Sequence, residues 1–270
     1  MVSNNDWDNR TRFVVYGQAF LLVLVWAMAL SRLIDGKFWN AEHNVKTFEA
    51  ILLSSDNEDG DDENTPPAPK QMIHFIKAAG MSYYTSRYVW FFPHIVGSLI
   101  WWNFYFLQLI PSIRRKYKKF HRVLGRILMV CAVAQSVSGV GLAYMGDSPT
   151  IKIVSYLLAI SIIYCVYHAW YYAAIEKDIA KHKYWSMRLV GYSQTIALQR
   201  VFMVVLIAAH QFGWLGLYPP YDENDAATIG QIFDDTFVSC YTVAMMLTEW
   251  YLAGYYGWTE TETRTKEKAI

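Results

Sequence analysis

Six stretches of this chain are each long and apolar enough to cross a lipid bilayer, and the polar links between them alternate in sign. A hydrocarbon core about 30 Å thick takes about 20 apolar residues of helix. The stretches run from Phe13 to Leu33, Tyr88 to Ile110, Val123 to Tyr144, Ile151 to Ile175, Met187 to Gln211 and Val238 to Trp258. Hydrocarbon offers the backbone no hydrogen-bond partner, so a span must satisfy its own N–H and C=O groups. The expected fold is therefore all-α, a polytopic membrane helix bundle with six transmembrane helices. Charged residues make up 17% of the chain, against about 25% in soluble domains.

Positive charge marks the cytoplasmic side of a membrane protein. The link between spans two and three carries Arg114, Arg115, Lys116, Lys118, Lys119, His121 and Arg122. The link between spans four and five carries Lys177, Lys181, Lys183 and Arg188. Both belong on one face. The opposite face receives the acidic run Asp56 to Glu63 and the loop Tyr221 to Asp235. Six spans then put both termini on the basic, cytoplasmic-type face, where Arg264, Lys266 and Lys268 fit.

The chain divides into a polar N-terminal segment (1–12), a six-span membrane domain (13–258) and a polar C-terminal tail (259–270). The long connection 35–87 has an acidic, proline-bearing middle, 54–69, that lacks apolar surface to bury and is expected to be disordered. Residues Gln71 to Ala79 read either as a short interfacial helix or as a loop returning to the membrane. The first apolar run is too long for a signal-peptide core and has no convincing cleavage site, so it counts as a span.

Several chemistries have no basis in the chain. The net charge of +1 suggests no polyanion partner, and no Lys/Arg-rich block with aromatic interleaving reads as a nucleic-acid site. Cys131, Cys165 and Cys240 lack CxxC spacing and read as small packing residues. The His boxes of membrane di-iron enzymes, GxSxG, HExxH and P-loop motifs are all missing. Aromatic residues near the span ends, such as Trp90, Trp101, Trp102, Trp170 and Trp250, read mostly as interfacial anchors. Ala132, Ser136, Gly139 and Gly141 on span three suggest a close helix contact.

Ionisable side chains within spans are costly and usually mark function. Arg200 lies near the middle of span five and Glu249 near the middle of span six. They form an expected intramembrane charge pair, which Gln135, Gln194 and Gln199 could extend. The histidines make a second set. His94 and His210 lie toward the acidic face, while His121, His168 and His182 lie toward the basic face. Two layers of imidazoles suit a membrane b-type cytochrome, whose haem iron is held axially by neutral imidazoles from two helices. The alternatives are interfacial cations for His121 and His182 and hydrogen-bonded core residues for His94 and His168.

Two motifs resemble a known family. Phe120-His121-Arg122-Val123-Leu124-Gly125-Arg126 follows a span ending in Leu107-Gln108-Leu109, and His182-Lys183-Tyr184-Trp185-Ser186-Met187-Arg188 opens a span containing Gln199-Arg200. These resemble the uncharacterised polytopic membrane proteins known as domain of unknown function 2306, over roughly Tyr88 to His210. The resemblance carries over onto His121, Arg122, Gly125 and Arg126, onto His182, Trp185 and Arg188, and onto His94 and Arg200. Ser186-Met187 departs from the family's second motif. The resemblance implies a helical membrane bundle and leaves the reaction open.

His121, His182, Arg122, Arg126 and Arg188 converge on the basic face, where arginines suit haem propionates, an anionic lipid headgroup or another phosphate-bearing ligand. The leading expectation is a redox protein binding haem b, with His94, His121, His168 and His182 as metal ligands and His210, Arg122, Arg126 and Arg188 also contacting the cofactor. The alternatives are a non-catalytic subunit or scaffold of a larger membrane complex, and a transporter or lipid-binding protein. Expected partners are the lipid bilayer and either other membrane subunits or an electron-transfer partner.

Overall fold

A computed structural model describes Tyr16 and residues 82–146, 148–214, 216–219 and 226–267; for residues 226 and 255–267 it describes the backbone alone. Most of the first expected span, the acidic segment 54–69, the interfacial stretch 71–79 and residues 220–225 lie outside the described residues. The described elements are helical, with no strand among them. They are α1 (Tyr88–Phe104), a 3-10 turn (Tyr105–Gln108), α2 (Pro111–Lys116), α3 (Lys118–Tyr144), α4 (Pro149–Ala174), α5 (Ile179–Gln211) and α6 (Ala226–Glu267).

Three of these, α3, α4 and α5, are long and apolar enough to cross a membrane. α1 has 17 residues, about 26 Å at 1.5 Å per residue, and gives way to the 3-10 turn before the expected end at Ile110. Ile110 takes an extended conformation ahead of Pro111, as the clash between a proline ring and the preceding residue favours. α6 contains the sixth expected span but starts well before it, so residues 226–235 of the expected acidic loop are helical instead. Ile229, Ile232, Phe237, Cys240, Ala244 and Leu252 are all buried along α6. That apolar stripe extends the helix past the hydropathy boundary.

Helix ends follow local chemistry. Ser148 caps α4 by accepting from the Ile151 amide at 3.2 Å, and Pro149 takes the first helical position, where its missing N–H costs nothing. Asp178 caps α5 by accepting from the Lys181 amide at 3.0 Å. That bond is the main reason its carboxyl lies below the usual carboxylate range. α5 stops at Gly213, which adopts φ +65°. The Gly213 amide bonds the His210 carbonyl at 3.0 Å and the Trp214 amide bonds the Ala209 carbonyl at 2.9 Å, the paired closure of a left-handed C-cap.

The chain forms two compact units, 1–138 and 139–270, that divide within α3. In the first, α1 lies close against α3 at Gly97, where an added Cβ would come within 2.9 Å of Gln135 Cγ and 3.2 Å of the Cys131 carbonyl. Trp101 is 4% exposed and stacks on Tyr105 at 5.7 Å, so it is a core residue and not an interfacial anchor. Of the small residues expected at a close contact, Ala132 and Ser136 are buried in this unit, while Gly139 is half-buried and Gly141 buried in the second. In the second unit α5 packs against both α4 and α6. Val154, Leu158 and Phe237 centre its core, with Ile151, Ile162, Ile196 and Tyr241 around them. The three cysteines are buried free thiols.

Candidate functional site

In the second unit, Tyr184, Arg188 and Tyr192 recur every four residues along α5 and therefore share one face. Arg188 Nη2 donates to Glu249 Oε2 on α6 at 2.5 Å and to the Tyr184 hydroxyl at 2.5 Å. The Tyr192 hydroxyl donates to the other Glu249 oxygen at 2.6 Å. The guanidinium carbon also lies 4.6 Å from the Tyr184 and Trp185 ring centroids. Arg188 is 16% exposed and Glu249 44%, so the cation is enclosed and the carboxylate is half open.

This corrects the expected Arg200–Glu249 pair. Arg200 lies over Phe233 at 5.6 Å, and Phe233 is 16 residues from Glu249 on the same helix, about 24 Å away. The two charges sit at different depths, and Arg188 is the residue level with Glu249. Nor does Gln199 extend this network. It is buried and donates to Thr236 at 3.3 Å. Arg188 is committed to a carboxylate, which weakens its expected role as an anion ligand.

The aromatic half of this centre comes from α4. Tyr164, His168 and Tyr172 again repeat every four residues. His168 stacks on Trp185 with centroids 4.4 Å apart and 18° between planes, and Tyr164 meets its edge at 4.4 Å. His168 Nδ1 is buried without a hydrogen-bond partner among the described residues. His182 lies nearby, because its Nδ1 reaches the carbonyl of Ala169, the residue after His168, at 2.8 Å. A carbonyl only accepts, so Nδ1 of His182 carries a proton and donates it to that oxygen.

His94 in the first unit shows the same arrangement. Its Nδ1 lies 3.1 Å from the Gln135 carbonyl and 3.4 Å from the Ser138 hydroxyl. The carbonyl again makes Nδ1 the donor. Gln135 lies 14 residues beyond His121 on α3, about 21 Å along the axis. His94 and His121, the two described histidines of this unit, therefore sit at separate levels. His210 is buried at the C-terminal end of α5 beside Tyr218, 5.9 Å between ring centroids. It stands 28 residues from His182, about 42 Å of helix. Arg122 and Arg126 are exposed at the start of α3. Among the described residues no three His, Cys, Asp or Glu side chains converge in a metal-binding group.

Residues 91–217 match the family model described as predicted membrane protein (DUF2306). That segment is similar to this family, whose function is unknown. The match takes in every histidine considered above, with Arg122, Arg126, Arg188 and Arg200, and leaves out Glu249. No curated protein and no solved structure matches the chain. The match to a predicted membrane protein family and the three apolar helices make this an integral, multi-pass membrane protein.

Sequence reasoning singled out Arg188 and Glu249 but not their connection, and missed Tyr184, Tyr192 and Ser138. The i, i+4, i+8 spacing of Tyr184, Arg188 and Tyr192 was the available signal.

Proposed function

We propose that this protein is a b-type haem-binding redox protein of the membrane, a six-span bundle in which histidines from different helices hold iron and pass single electrons. The observation that carries the reading is the shared state of His94 and His182. Each has Nδ1 tied to a backbone carbonyl of a neighbouring helix, which fixes the orientation of the ring and makes Nε2 the nitrogen that iron would meet. Such outer ties set tautomer and ring direction in imidazole-ligated metal sites. Further support comes from the 14 residues of α3 between His121 and Gln135, which separate the imidazoles of the first unit into two levels. His168 and His182, brought close at the α4–α5 crossing, supply candidate ligands in the second. Arg122 and Arg126, exposed at the start of α3, are candidate partners for propionates.

The test is an absorption spectrum of the purified full chain from cells supplied with haem. A Soret band that shifts on chemical reduction is expected. The His94→Ala and His182→Ala variants should each lose a large share of it, while Arg200→Gln should keep it. Colourless protein that remains folded and monodisperse would end this reading.

A further inference from the structure

The break between α2 and α3 is a charged depression with no carboxylate near it in sequence. α2 ends at Lys116, Tyr117 leaves the helical conformation at φ −118° and ψ 55°, and α3 starts at Lys118. Around this kink lies an open depression of about 540 Å³ lined by Lys116, Tyr117, Lys118, Lys119, Phe120 and Val123. The Lys116 ammonium stands 5.5 Å from the Tyr117 ring centroid. Between Ser82 and Ser138 the sequence holds no Asp and no Glu, and among the described residues Lys116, Lys118 and Lys119 form no ion pair. Any carboxylate or phosphate that meets this cluster comes from outside its own segment.

What lies beside the depression indicates where that charge comes from. Phe120, Val123, Ile127 and Val130 are all exposed. Their spacing of three and four residues puts them on one face of α3, running from the depression into the span. A ligand matched to both parts has an anionic head and a long apolar tail. We propose that the α2–α3 break is a binding site for an anionic glycerophospholipid. Its phosphate meets Lys116, Lys118 and Lys119, and an acyl chain lies along Phe120, Val123, Ile127 and Val130. Juxtamembrane clusters of Lys and Arg attract anionic lipid in this way, within a Debye length of the surface. The site is independent of haem.

The full chain in detergent would be titrated with phosphatidylglycerol, with phosphatidylcholine and with inorganic phosphate alone, and bound lipid counted by native mass spectrometry. One retained phosphatidylglycerol per chain is expected, in preference to phosphatidylcholine. The combined variant Lys116→Gln, Lys118→Gln, Lys119→Gln should weaken its retention by roughly tenfold or more. The combined variant Lys177→Gln, Lys181→Gln, Lys183→Gln, which removes equal charge from the other basic link, should retain it. Melting in phosphatidylcholine micelles establishes that both variants fold. Equal loss in the two variants would reduce the effect to general surface charge and overturn the site. Retention by the first variant would overturn it too, and phosphate competing at the affinity of the lipid would replace the lipid with a free anion.

Discussion

Glu249 is held by two donors from α5, and Arg188 is the charged one. Removing the guanidinium would leave the carboxylate with Tyr192 alone among its described donors. Breaking a fully buried pair from one side costs about 3–5 kcal/mol. Here Glu249 is 44% exposed, and solvent screening lowers the expected cost of Arg188→Gln to about 2 kcal/mol. Because Glu249→Gln keeps an acceptor for Tyr192 and removes the stranded charge, the double variant should lose less than the sum of the singles. Thermal melts of the four proteins in one detergent give the coupling energy. Arg200→Gln in the same assay should leave that coupling unchanged, since Arg200 lies over Phe233. Residue types were legible from sequence here, because charged groups inside apolar runs stand out. Pairing was not, since depth along two antiparallel spans shifts with each misjudged helix start, and α6 starts 12 residues before the expected span.

Close approach sets the contact of α5 with α6. At Gly191 an added Cβ would fall 2.2 Å from Thr248 Oγ1 and 2.9 Å from its Cβ. Gly191→Ala must push the helices apart and should lower the melting temperature, with partial recovery on adding Thr248→Ala. Gly97→Ala should be milder, because its nearest contacts, Gln135 Cγ at 2.9 Å and the Cys131 carbonyl at 3.2 Å, are less close than the 2.2 Å at Gly191. A second joint lies between the cap of α4 and α6. Ser148 donates to Asp234 at 2.5 Å while accepting from the Ile151 amide. Ser148→Ala should cost about 1 kcal/mol as a lost cap. Burial pushes the Asp234 carboxyl above the usual carboxylate range, the Ser148 hydroxyl pulls it back and Asp235 pushes it up again. The folded chain thus keeps a proton that the unfolded chain has released. That contribution to stability is present below the ordinary Asp value of about 4 and is lost as pH rises through the raised one. Melting temperatures measured from about pH 4 to pH 7 should fall less steeply in Asp234→Asn than in the parent protein. The helices themselves were legible as apolar runs. Their true ends were not, because Asp178, Ser148 and the buried stripe of α6 extend or stop them by contacts that hydropathy does not register.

At the scale of the molecule, threading is the testable quantity. Cys131, Cys165 and Cys240 are buried, so single cysteines introduced at surface positions can report sidedness. Ser112→Cys and Lys181→Cys should be labelled from one side of sealed vesicles and Glu223→Cys from the other. Labelling of all three from a common side would contradict the six-span arrangement and the two-layer placement of histidines that the haem reading uses. Membrane residence and helical class followed from sequence alone, because bilayer thickness and the need to satisfy backbone groups internally leave few solutions for runs of 20 apolar residues. The histidines and arginines worth attention followed from it as well, because polar groups are rare in such runs. Which groups meet was decided only by tertiary structure. Arg188 faces Glu249, Trp185 covers His168, and His94 turns its Nδ1 to Gln135. Such contacts depend on helix rotation and axial offset, and a shift of one residue along a helix turns a side chain by about 100° and moves it about 1.5 Å.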